Sequence, residues 1–209
     1  LFRSATFGWI MVASGLIERP WVNAYKLSIH LLIAFSVYSS LLWTFLFANR
    51  SEVISDVPLL YIKRLLWVAL ILLVVQIFFG GVMSGMKSAV VYPSWPDMNG
   101  GYFPSVIFDP SQWRFESFIN YDKNPFMPAL IHFLHRNTAY ILFIIGNILS
   151  YKLYRVGNTY NILKLKKIGY IISSLLFFQL LLGIITVISS KGTIPVLWGV
   201  TSGWCIVIT

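Results

Sequence analysis

Charged side chains are scarce in this sequence: only 11% of its 209 residues are Asp, Glu, Lys or Arg. A soluble domain carries about 25%, so this chain has too few charges to cover a water-facing surface, and 57% of it is hydrophobic. Its natural solvent is lipid. Cysteine is nearly absent as well. The single one, Cys205, lies in an apolar stretch and rules out an intrachain disulfide framework or a Cys-x-x-Cys site. Acidic residues number seven, and none falls inside a candidate span, which argues against a proton-coupled pump. The Walker loop, His-Glu-x-x-His and Gly-x-Ser-x-Gly are all missing, so those nucleotide, zinc and hydrolase chemistries find no support. No signal peptide is visible, and Leu1 already stands inside an apolar segment, which leads us to expect a missing N-terminal part.

What is present is a set of long apolar runs. A span needs about 20 apolar residues. Full runs cover Lys26–Phe47, Leu65–Met86, Pro128–Leu153 and Ile168–Ser189, and shorter ones cover Ala5–Ile17 and the stretch from Ile194 to Thr209. The pattern predicts an all-α, polytopic transmembrane helical bundle with about six spans. Residues 1–86 read as one helical set, 87–126 as an extramembrane loop, and 127–209 as a second set whose last helix is truncated. The loop holds Pro93, Pro96, Pro104, Pro110 and Gly100-Gly101, which predicts turns and a short helix rather than a disordered linker. A weak internal echo relates 8–14, followed by Pro20, to 183–189, followed by Pro195.

The net charge of +9 is split among loops with no dense stripe, so it reads as a topology signal and not as a nucleic-acid footprint. Alternating the spans puts Lys63, Arg64, Lys152, Arg155, Lys164, Lys166 and Lys167 on one side with few acids. The positive-inside rule places that side in the cytoplasm or mitochondrial matrix. The long loop then faces the periplasm or intermembrane space.

Three histidines are the candidates for chemistry. His30, His132 and His135 all lie one to two turns from the outer ends of their spans, at similar depth. Neutral imidazole is a strong ligand for haem iron, and a bundle can hold a flat cofactor between helices. For an isolated histidine near an interface, a bond to water or a carbonyl is the commoner fate. Arg136 follows His135, and a guanidinium there suits a haem propionate. His132 and His135 share a helix face, so one of them reaches a given iron and the other lies beside the site or at the interface. Gly81 and Gly85 permit close approach, of a helix more commonly, or of a porphyrin face. Trp95, set between Pro93 and Pro96 and followed by the Asn99-Gly100 turn, reads as an interfacial anchor or as part of a shaped lid.

These residues carry a resemblance. Gly80-Gly-Val-Met-Ser-Gly-Met-Lys87, Tyr92-Pro-Ser-Trp-Pro-Asp-Met-Asn-Gly100 and His135-Arg-Asn-Thr-Ala-Tyr140 closely resemble the heme A synthase family. So does Gly8-Trp-Ile-Met-Val-Ala-Ser-Gly-Leu16, leading to Tyr25-Lys-Leu-Ser-Ile-His-Leu31. The likeness is to the branch shared by mitochondria and alphaproteobacteria. It implies an eight-helix, two-fold pseudo-symmetric inner-membrane enzyme that oxidises a methyl group of heme O to a formyl group, making heme A for cytochrome oxidase. Each half of the family fold offers a histidine pair to a haem. One half holds heme b and the other is the proposed site for heme O.

By that resemblance His30 and His135 are iron ligands and Arg136 belongs to the cofactor site. His132 stands where the branch has Gln and is not assigned as a ligand, and no catalytic residue is assigned. The implied partners are the lipid bilayer, heme O, heme O synthase and other cytochrome oxidase assembly factors, with a second copy of the chain left open and nucleic acid excluded. Two departures stand out. The first two family helices are absent, and with them the partner of His30 and a nearby glutamate. The last helix reads Val200-Thr-Ser-Gly-Trp204 where the family has a His-Gln pair, which removes the partner of His135. The rival readings are therefore a haem-binding or assembly protein without oxidase activity, and an inactive fragment.

Overall fold

The computed structural model describes residues 23–49 and 60–190. The short apolar segments at the two ends, Cys205 and the first member of the internal echo lie outside them. Six helices run in chain order: α1 (Ala24–Ala48), α2 (Leu60–Gly85), α3 (Ser88–Val91), α4 (Phe115–Ile119), α5 (Phe126–Thr159) and α6 (Leu163–Ser189). Two 3-10 turns, Ser105–Phe108 and Pro110–Gln112, lie between α3 and α4. Among the described residues, α1, α2, α5 and α6 are long and apolar enough to cross a membrane. The chain is thus a helical, multi-pass membrane protein. Many of its large apolar side chains, such as Trp43, Phe45, Trp67, Ile71, Phe178 and Leu181, are exposed because lipid is their partner.

The helices run longer than their apolar cores. α5 has 34 residues, about 51 Å of rise against a hydrocarbon core of about 30 Å. Its apolar middle sets the span, while Tyr154, Arg155 and Asn158 continue the helix into the headgroups at one end.

Packing follows a simple order. α1 packs on α2, α2 on α5, and α5 on α6. Every pair is antiparallel: Ala24 meets Gly85, Ile62 and Ala69 cluster with Leu149, and Gly157 abuts Lys166. Lys63, Arg64, Lys152, Arg155, Lys164, Lys166 and Lys167 therefore share one end of the bundle, as the charge pattern requires.

Two stripes on α2 set its neighbours. At about 100° per residue, Ile62, Ala69 and Gln76 share a face toward α5, and Phe78, Gly81 and Gly85 share the opposite face toward α1. A β-carbon at Gly85 would stand 2.5 Å from Ala24 Cα, and one at Gly81 would stand 2.7 Å from Ser28 Cα. Of the two uses open to these glycines, helix packing is the one observed. The Ser28 hydroxyl donates to Phe78 O at 2.5 Å, which locks the contact.

The 87–126 segment is ordered as expected. Lys87 (φ 52°) adopts the left-handed conformation that ends α2. Asn99 (φ 57°) and Gly100 (φ 98°) make the turn that the Asn-Gly pair predicts, closed by Met98 N–H donating to Gly101 O at 2.7 Å. Asn23 caps α1 through Tyr25 N–H and Lys26 N–H. The Tyr121 hydroxyl takes up a further end group by accepting from Ala24 N–H at 3.0 Å. Tyr25 in turn donates to Phe118 O at 2.7 Å. At the same end of the bundle, Ser190 donates to Ala89 O at 2.6 Å and fastens the end of α6 to α3.

Replacing Gly85 by Leu should force α1 off α2, because the new side chain meets backbone and not a movable side-chain tip. The expected loss is about 1–3 kcal/mol, read as a lower thermal midpoint in mild detergent. Leu181→Ala on the lipid face should leave that midpoint nearly unchanged. Equal midpoints for the two variants would contradict the packing described.

Candidate functional site

The outer half of α5 organises the site. Phe133, Arg136, Asn137 and Tyr140 follow the i, i+3, i+4, i+7 spacing of one helix face. All four meet the Tyr92–Phe103 segment. Phe133 packs edge-on against Tyr102 and tilted against Phe103. Arg136 Nη1 donates to Pro96 O at 2.9 Å and Asp97 O at 3.0 Å, and Nη2 donates to Tyr102 O at 3.1 Å. The guanidinium also lies 4.8 Å from the centre of the Tyr102 ring. The Tyr102 hydroxyl donates to Asn137 Oδ1 at 2.6 Å, and Trp95 Nε1–H donates to the Tyr140 hydroxyl at 2.9 Å. Trp95 is therefore tied to the bundle. Beneath the segment, Tyr92, Met98 and Ala129 form a small buried cluster. Burial pushes the Tyr92 phenol above its ordinary range, so it packs as a neutral group.

Arg136 thus has a structural role: its terminal nitrogens donate to three loop carbonyls, and its buried Nε has no protein partner. A buried cation among carbonyl oxygens is a strong clamp, because each charge-assisted bond contributes about 1.5–3 kcal/mol.

The three histidines part company. His135 turns toward α2, where its Nε2 lies 3.1 Å from Gln76 Nε2. With the amide N–H donating to Nε2, the imidazole proton is on Nδ1; with the amide turned over, Nε2 donates to Gln76 Oε1. That Nδ1 is buried without a partner, and so is Gln76 Oε1. His132 is almost fully buried, 2% exposed, with an unpartnered Nδ1 of its own. His30 stands two residues beyond Ser28, so it points about 200° around α1 from the contact with α2. Helix α2 therefore separates His30 from His135, and the two imidazoles face different sites.

One face of α1 is hollowed. Ile29, Leu32, Ile33, Ser36, Val37, Ser40 and Leu41 line a shallow groove of about 440 Å³ along α1. His30 lies on the flank of α1 next to this groove and is not part of its lining. The Ser36 and Ser40 hydroxyls turn back to Leu32 O and Ser36 O, which keeps the groove apolar.

These donors suit a haem better than a bare metal ion. Among the described residues no three His, Cys, Asp or Glu side chains converge. Single imidazoles enclosed by apolar helix surface suit axial ligation of a haem. Gln76 is the member that sequence reasoning missed. Its signal was present: it is the only polar side chain between Arg64 and Ser84, and a lone amide in a span needs a reason.

Comparison with known proteins adds to this geometry. The family model of the cytochrome oxidase assembly protein, COX15-CtaA, matches residues 2–197. A protein named heme A synthase from Pelagibacter ubique is 34% identical over 87% of this chain and 49% of its own length. Its namesake from Rickettsia bellii is 33% identical over 87% of this chain and 51% of its own. Another from Bradyrhizobium is 33% identical over 72% and 40%. The chain thus spans about half the length of the curated relatives it matches. No solved structure matches it.

Arg136→Gln should release the loop. Amide exchange at Met98 and its neighbours, read by mass spectrometry in detergent, should rise about ten- to a hundredfold, in keeping with the loss of more than one charge-assisted bond. Arg136→Lys should fall between the two, since an ammonium cannot span three carbonyls from one plane. Unchanged exchange in Arg136→Gln would remove the clamp from the account.

Proposed function

The chain belongs to the COX15-CtaA family of cytochrome oxidase assembly proteins, and from that premise we propose that it is part of a heme A synthase of the bacterial or mitochondrial inner membrane. The intact protein oxidises the methyl group of heme O to a formyl group. The observation that carries this reading is His135 held within the helix packing against a lone buried amide, Gln76, with His30 on the side of α1 turned away from α2.

Division of labour follows from those surroundings. His30 stands on the side of α1 turned away from α2, next to an apolar groove where a lipid-borne haem can lie against Ile33, Val37 and Leu41 without desolvating any charge. It is the proposed ligand for heme O, the substrate. His135, enclosed between α5 and α2, is the proposed ligand for a resident heme b. A bound haem supplies the redox-active iron. The chain's own residues supply position. Arg136 holds Pro96, Asp97 and Tyr102 over the outer end of α5, and in this reading it serves the cofactor site through the loop it pins.

The test uses the full reading frame, expressed in a host that makes heme O but no heme A. Extracted haem should contain heme A. His30→Ala and His135→Ala should each lower it by at least the 10- to 100-fold (roughly) that lost second-shell partners already cost. An intact protein that yields no heme A with heme O present would overturn the catalytic reading. If it still bound haem, the chain would be an assembly protein without oxidase activity.

A further inference from the structure

Gln76 is the least expected polar residue in the molecule. It sits in the apolar interior of α2, is 6% exposed, and has one partner only. Burying an amide in a membrane span with its oxygen unsatisfied costs free energy. Its partner atom is the informative one. Imidazole Nε2 carries a single lone pair when the proton is on Nδ1. Gln76 N–H occupies that lone pair at 3.1 Å. If the amide is turned over, Nε2 instead carries the proton and donates to Gln76 Oε1, and the result is the same. In both orientations the nitrogen that faces α2 is taken, and iron cannot share it.

We infer that Gln76 is a placeholder for haem iron at His135: it satisfies Nε2 while the site is empty and gives it up when the iron binds. This inference rests on the reading of His135 as an iron ligand. The buried, unpartnered Nδ1 of His135 and Oε1 of Gln76 mark a pair that is only half satisfied in the closed arrangement. A half-satisfied pair holds the ring in place yet is cheap to open. The bond keeps an otherwise orphaned nitrogen from destabilising the protein before haem binds, and it keeps the ring turned toward α2. Gln76 is a positioning residue in this scheme and touches no substrate.

The consequence is a competition that a haem titration can measure. Full-length protein is purified without haem, and hemin is added while the Soret band is followed. Gln76→Met keeps the volume and removes the bond. It should bind hemin about two- to tenfold more tightly than wild type, the worth of one neutral hydrogen bond, through the same His135-dependent absorption. Gln76→Asn, whose amide is one methylene short, should shift in the same direction and serves if the Met variant does not accumulate. A third measurement needs no substitution. In wild-type protein carrying isotope-labelled glutamine, infrared difference spectra should show a buried side-chain amide losing its hydrogen bond as hemin is added.

Equal or weaker hemin binding by Gln76→Met, with the His135-dependent spectrum intact, overturns the placeholder role and leaves the ligand assignment standing. So does the absence of a glutamine signal in the difference spectrum. His135→Ala run in parallel separates the two layers: a spectrum unchanged by that substitution removes His135 as the ligand and the placeholder with it.

Discussion

The approach of α1 to α2 at Gly81 and Gly85 is the contact on which the outer end of the bundle depends. Two α-carbons without side chains let Ala24 and Ser28 come against the α2 backbone. In lipid there is no hydrophobic drive between helices, so such close packing and the bonds it permits hold them together. With α1 fixed there, the start of α1 becomes reachable by Tyr121, and Tyr25 reaches Phe118. The loop is thus pinned to α1 at one end and to α5 at the other. The same contact turns Ser28 toward α2 and therefore His30 away from it.

Many polar side chains in the spans find a partner within the protein. Ser28 bonds to Phe78 O, Ser150 to Gly169 O, Ser173 to Asn147, and the hydroxyls of α1 to the turn before them. Satisfaction inside the bundle is required because lipid offers no alternative. The exceptions are therefore informative. His30, His132 and His135 each keep a buried ring nitrogen without a partner, and Gln76 keeps an amide oxygen. Most of these exceptions stand on the residues proposed to hold or to guard a haem. Gln179 Oε1 on α6 is another, and nothing in its surroundings explains it.

Helix α2 acts as a wall with two different faces. Toward α1 it presents small residues, and toward α5 it presents Ile62, Ala69 and Gln76. A haem at His30 and a haem at His135 would lie on either side of it. The loop contributes to one side chiefly, since Arg136, Asn137 and Tyr140 all reach it from α5.

Much of this was legible in the residues themselves. Long apolar runs with almost no charge determined the membrane class, and α1, α2, α5 and α6 cover the four full runs with ends extended by a few residues. The ends shift because hydropathy reports where lipid stops, while helical hydrogen bonds continue into the headgroups. The motif spacing determined the family and singled out His30, His135 and Arg136. Only the tertiary structure decided what each of these touches. That Arg136 grips the loop carbonyls of Pro96, Asp97 and Tyr102 could not be read from its place beside His135 in the sequence. Gln76 and His135 are 59 residues apart, and no local pattern couples them. Periodicity fixes which face of a helix a residue occupies. Which helix that face meets is set by packing, and packing belongs to the whole bundle.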